Sequence, residues 1–131
     1  MRPITNLELL LKHIEPLLGS DCAFCNVTTE QLKDFSILPI AMFQEQEGVT
    51  VIYKVKDAEQ LGLSIDWIGT QITLNVNSSL DAVGFLARIT NALAEHSISV
   101  NAFSPIFHDH LFVRPSDANK AMQILKSLSK A

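Results

Sequence analysis

The sequence predicts an α+β fold built from two βαββα units in tandem behind an extra leading helix. The first observation behind this is an internal repeat. Shifted by sixty positions, "PIAMFQEQEGVTVIYKVKDAEQL" lies over "SVNAFSPIFHDHLFVRPSDANKA", matching Phe43 to Phe103, Asp57 to Asp117 and Ala58 to Ala118. The second is that a strand candidate precedes each copy, "CAFCNV" and "QITLNV", each followed by a polar helix start. The third is that in both copies an extended stretch, a polar turn and a second apolar stretch lead to an Asp-Ala pair that opens a helix. This order of elements is that of the ferredoxin-like split βαβ, present twice. The expected divisions are a leading helix over 1–20, a first unit over 21–68 and a second over 69–131.

Each element has its own local reason. Thr5 and Glu8 carry a capping signature before Leu7, Leu10, Leu11, Ile14 and Leu18, so the leading helix is expected to cover apolar surface of the paired units. "DCAFCNV" reads as a strand and "TTEQLKDF" as a shortened first helix. "VTVIYKV" and "DHLFVRP" are equivalent strands. "SIDWIGTQITLNV" is expected to run from the end of the first sheet into the second, with Gly69 permitting a bend, so that the second unit lacks its own last strand. Ser78 and Asp81 in "NSSLDAVG" fit a capping box, which places a helix start there, and Ala82, Phe85, Leu86, Ile89 and Leu93 then form one buried stripe. Ser116 is placed to cap the last helix, where Ala118, Ala121, Met122, Leu125 and Leu128 repeat the pattern.

Composition narrows the function. At 131 residues and 47% hydrophobic the chain can bury a sizeable core. No apolar run approaches the roughly 18 residues of a membrane span, and Glu8 and Lys12 interrupt the leucines near the start, so a cytoplasmic protein with no membrane partner is expected. A net charge of −4 without clustered Lys and Arg argues against a nucleic-acid partner. So does "HLFVRP", which holds a single aromatic where an RNA-recognition sheet is aromatic-rich. There is no glycine-rich phosphate loop, no G-x-S-x-G elbow and no nucleophile-base spacing, so neither catalysis nor a cofactor is expected.

Two motifs raise metal or redox chemistry. Cys22 and Cys25 have CxxC spacing. On a strand they face opposite sides with Cα atoms about 10 Å apart, beyond disulfide reach, which favours buried packing. A turn or bulge at Ala23 would reopen the redox and zinc readings. His108 and His110, two apart, point to one face of an extended strand as a metal grip requires. The sixty-residue shift lays them on Gly48 and Thr50, however, so "HDH" is expected in a hairpin turn. The other possible ligands, Cys22, Cys25, His13 and His96, stand singly on separate elements, and no metal is expected. Histidines that titrate near neutrality also offer a pH-sensitive surface.

The run "SLDAVGFLARITNALAEHSISVNAF" resembles the signature of ACT domains, in which an acid and a glycine open the first helix and apolar residues follow at fixed offsets. Here these are Asp81, Gly84, Leu86, Ile89, Leu93, Ile98 and Val100, with Val83 where many ACT domains have proline. Over its whole length the chain is similar to small, functionally uncharacterised bacterial proteins made of a tandem ACT pair. The nearest functional analogy is to ACT tandems in amino-acid-sensing regulators and aspartokinases. The resemblance implies a ligand site at a seam between ACT units, near Asn77, Ser78, Asp81, Val83, Gly84, Asn101 and Phe103. There a helix N-terminus would hold a carboxylate, and Asp81, Asn77 or Asn101 would take an ammonium. The expected function is thus regulatory binding of a free amino acid by a homodimer or higher homo-oligomer. The alternative is a ligand-free homo-oligomerisation or protein-interaction module.

Overall fold

The structure is a computed structural model that describes residues 3–130. The chain divides into two compact units, residues 20–69 and residues 1–19 with 70–131. Its strands pair antiparallel in an α+β arrangement.

The 20–69 unit is built on β1 (Pro16–Val27) from Ser20 onward, with β2 (Ala41–Gln44) and β3 (Val49–Lys54). The strand β3 lies between the other two, Cys25 opposite Val51 and Phe43 opposite Thr50. The period of two puts Ala23, Cys25, Val27, Val49, Val51 and Tyr53 on one face. They form a core with Ala58 of α3 (Val55–Gln60). The short helix α2 (Thr29–Lys33) has a complete capping box: Gln31 N–H donates to Thr28 Oγ1, and Thr28 N–H to Gln31 Oε1. Asp66 N–H donates to the Phe24 carbonyl, which brings the start of β4 (Trp67–Leu74) beside β1. Phe24 and Trp67 then meet edge to face, ring centroids 5.0 Å apart.

Both cysteines lie on the strand as buried thiols. Burial, with the Asp21 charge adding and Lys54 opposing, pushes the Cys22 thiol up to about 11, and burial then Asp66 raise Cys25. Neither is an activated thiolate.

In the second unit, residues 70–74 of β4 pair with β6 (Asp109–Val113), Ile72 opposite Leu111, and β6 pairs with β5 (Asn101–Phe103), Ala102 also opposite Leu111. On the other side of β4 the chain's own beginning returns: Asn75 N–H donates to the Glu15 carbonyl at 2.8 Å. A Cβ at Gly19 would sit 3.1 Å from the Gln71 carbonyl oxygen, closer than ordinary contact. The expected helical run to Leu18 is therefore corrected. The helix α1 (Leu7–Lys12) ends at His13, and Leu17 and Leu18 belong to β1. Pro16 explains the stop, because it lacks an N–H and disfavours helix at Glu15.

The helices α1, α4 (Phe85–Ala94) and α5 (Ala118–Leu128) bury Leu10, Ile89, Leu93 and Leu125 against Ile72, Leu74, Leu111 and Val113. Two caps differ from expectation. Asn6, not Thr5, accepts from Leu9 N–H at the head of α1. Ser116 lies within a 3-10 turn, Pro115–Asp117, so α5 starts without a side-chain cap. Among the described residues no helix is long and apolar enough to cross a membrane.

Candidate functional site

The expected helix cap at Ser78 is corrected: the cap falls six residues later, at Gly84, and α4 begins at Phe85. The backbone at residue 78 is held extended instead. Ser78 forms a parallel bridge with Ile4, Ile4 N–H donates to the Asn77 carbonyl, and Ser79 N–H donates to the Ile4 carbonyl. Tied to Ile4 through the peptide groups before and after Ser78, this segment does not coil. The chain turns through residues 80–84 and enters the helix at Gly84, whose φ of 88° is a left-handed conformation that suits glycine.

Freed from capping, the Ser78 hydroxyl points elsewhere. It donates to Asp109 Oδ2 at 2.9 Å, and both residues are buried, 8% and 5% exposed. Asp109 stands at the start of β6 on the face of Leu111 and Val113, toward the helices. The expected hairpin turn for "HDH" is thereby corrected, because Asp109 and His110 are strand residues. His110 looks the opposite way, with Nδ1 2.9 Å from Thr73 Oγ1 and 3.3 Å from Gln71 Nε2. Its pKa is lowered, first by burial and then by His108, with Asp109 opposing. His108 is beside it, ring centroids 6.4 Å apart, but no cluster of three metal-ligating side chains forms among the described residues.

Ser78, Gly84, Phe85, Leu86, Ser104 and Asp109 line a cleft of about 170 Å³ within this unit. At its wall the first turn of α4 has no side-chain cap, and the first internal helix bond is from Arg88 N–H to the Gly84 carbonyl. The N–H groups of Phe85, Leu86 and Ala87 therefore have no acceptor within the helix. Together with the positive end of the helix dipole, they make a surface suited to a carboxylate.

Of the residues expected at a site, Ser78 and Gly84 line this cleft. Asn77 uses its carbonyl on Ile4. Asp81 is exposed, its N–H donating to Ser79 Oγ. Val83 is 84% exposed beside the cleft, and Asn101 and Phe103 lie on β5 without lining it. Asp109 was missed as a site residue. Its signal was the alternation of Asp109 with Leu111 and Val113, which assigns it to the core face once "DHLFV" is read as strand from its first residue.

Family models described as ACT domain match residues 2–68 and 68–127. The chain belongs to the ACT-domain family. No curated protein matches it. Among solved structures it is similar to a Vibrio cholerae protein of unknown function described as a possible transport protein, with 40% identity, 94% of this chain and 95% of that one covered, and a TM-score of 0.82. An Agrobacterium tumefaciens protein matches with 14% identity, coverage of 88% and 89%, and a TM-score of 0.68. The ligand-free regulatory subunit of aspartate kinase from Thermus thermophilus matches with 8% identity, coverage of 88% and 95%, and a TM-score of 0.66. At 14% and 8% identity these last two likenesses speak to the ACT fold alone.

Proposed function

We propose that this ACT-domain protein is a cytoplasmic regulatory module that binds a free amino acid where two ACT units meet in a homodimer. In this reading the ACT units span 21–68 and 69–131 behind the leading segment 1–20. The observation that carries it is the cleft at the uncapped start of α4, with three amide N–H groups that have no helical acceptor. Ser78 and Gly84 shape the cleft, while Asn77, Asp81, Val83, Asn101 and Phe103 surround it and contact the neighbouring unit or the ligand. Leu80 and Val83, 67% and 84% exposed beside the cleft, are apolar surface suited to cover by a second copy. The match of ACT-domain models to both halves of the chain supports regulation over catalysis.

Thermal scans against the twenty amino acids test this. A true ligand at a hundred times its dissociation constant stabilises the native state by about 2.7 kcal/mol, several degrees in Tm. Loss of that shift in a folded variant with a bulky residue at Gly84 places binding at the cleft. If no amino acid shifts Tm, binding is abandoned in favour of a ligand-free association module. That second reading has its own support in Leu38, Phe43, Ile106 and Phe107, each more than 60% exposed: 89%, 64%, 67% and 69%.

A further inference from the structure

We infer that His108 and His110 grip a divalent transition-metal ion on the face of the second unit's sheet turned away from its helices. This goes beyond the amino-acid reading and does not depend on it. The expectation of no metal rested on the lack of further protein ligands, and a site of two imidazoles completed by water needs none. Alternation along β6 separates the triplet: Asp109 lies with Leu111 and Val113 toward the helices, whereas His110 lies on the other face. His108, two residues earlier, meets it there edge to face, with ring centroids 6.4 Å apart and planes at 76°. Both histidines are half-buried rather than sealed from solvent. The carboxylate between them is turned away, so the ion is held by two neutral imidazoles.

The spacing and the support behind the rings suit that role. With metal–nitrogen bonds of about 2.0–2.1 Å, two rings sharing one ion have centroids about 4.5–6.5 Å apart. The pair stands at the wide end of that span, and His108, which precedes the strand, closes it by turning its side chain. His110 is already oriented from behind. Its Nδ1 is 2.9 Å from Thr73 Oγ1 and 3.3 Å from Gln71 Nε2 on β4, which leaves Nε2 as the nitrogen for an ion. With the proton on Nδ1, the Thr73 hydroxyl oxygen accepts it, the support that a ligating histidine ordinarily has on its other nitrogen. Burial and then His108 lower the His110 pKa against the opposing Asp109, which favours the neutral ring that binds metal. Imidazole donors suit copper, nickel and zinc, whereas calcium and magnesium take oxygen ligands, and among the three affinity is greatest for copper(II).

Titration calorimetry of the full chain near neutral pH with copper(II), nickel(II), zinc and magnesium chlorides tests the inference. One transition ion per chain is expected, copper binding tightest and magnesium giving no heat. His108→Ala and His110→Ala should each weaken copper binding at least about tenfold. His13→Ala and His96→Ala, on other elements, should leave it unchanged. Proton spectra of the unaltered protein should show the His108 and His110 ring signals broadened first by substoichiometric copper, so misfolding of either variant leaves the test intact. Binding that persists in both folded variants, or that falls with His13→Ala or His96→Ala instead, places the ion elsewhere and overturns the inference. So does the absence of binding by all three transition ions, or magnesium binding as tightly as zinc.

Discussion

Replacing Ser78 by alanine removes the one side-chain donor that reaches Asp109 among the described residues, while changing the packed volume very little. The bond is 2.9 Å long between residues only 8% and 5% exposed. A hydrogen bond to a charged group contributes about 1.5–3 kcal/mol, and its loss leaves a buried acceptor unsatisfied. We therefore expect Ser78→Ala to cost about 2 kcal/mol. With an unfolding entropy of about 2.1 cal/mol/K per residue, a chain of 131 residues loses roughly 7 °C in Tm for that change.

A double-mutant cycle isolates the pair. In an Asp109→Asn background the same Ser78→Ala change breaks only a neutral contact, so its cost should fall to about 1 kcal/mol and leave a coupling energy near 1 kcal/mol. Calorimetric melts of the four proteins measure it, provided each unfolds in a single two-state transition. A cost below about 0.5 kcal/mol for Ser78→Ala, or equal costs in both backgrounds, would refute the claim that Ser78 supports a buried Asp109 carboxylate.

Two further outcomes are expected. Leu93→Ala, at a fully buried position of α4, should cost about 3–4 kcal/mol through lost burial and an unfilled cavity, whereas Leu38→Ala, at a position 89% exposed, should stay within about 0.5 kcal/mol in urea unfolding. For His110 the folded pKa lies below its ordinary 6.5, so between the two values the unfolded chain binds more protons. Stability should therefore fall as pH drops through 6.5 toward the lowered value, and His110→Gln should flatten that slope in urea titrations at a series of pH values.

The repeat was legible because it is written in periodicities that survive sequence drift. The strands β3 and β6 begin sixty residues apart, at Val49 and Asp109, and each leads into a helix near an Asp-Ala pair. The run of β4 through Gly69 was also expected, from the extended stretch "SIDWIGTQITLNV". The return of residues 16–19 beside β4 was not. Helical and strand patterns compete over "HIEPLLGS", and only pairing with residues far along the chain decides between them. The capping box at Ser78 failed similarly. A local signature for a helix start lost to a bridge with Ile4, seventy-four positions away. Asp109 was hidden because two flanking histidines suggested a metal grip on their own face, and the residue between them was read as a turn.

The chain itself offers a comparison for what the uncapped start of α4 can do. In the 20–69 unit the helix after the first strand, α2, closes its first turn with Thr28 and Gln31, so two of its orphan groups are spent on side chains. In the other unit the helix after the corresponding strand, α4, has a left-handed glycine in the capping position and no side-chain cap. A ligand carboxylate is suited to this open helix start, and the 20–69 unit, whose helix start is already satisfied, lacks the same opportunity. Amino-acid binding by this protein should accordingly saturate at one ligand per chain, and a stoichiometry of two in calorimetry would show that a side-chain cap does not close a unit to ligand.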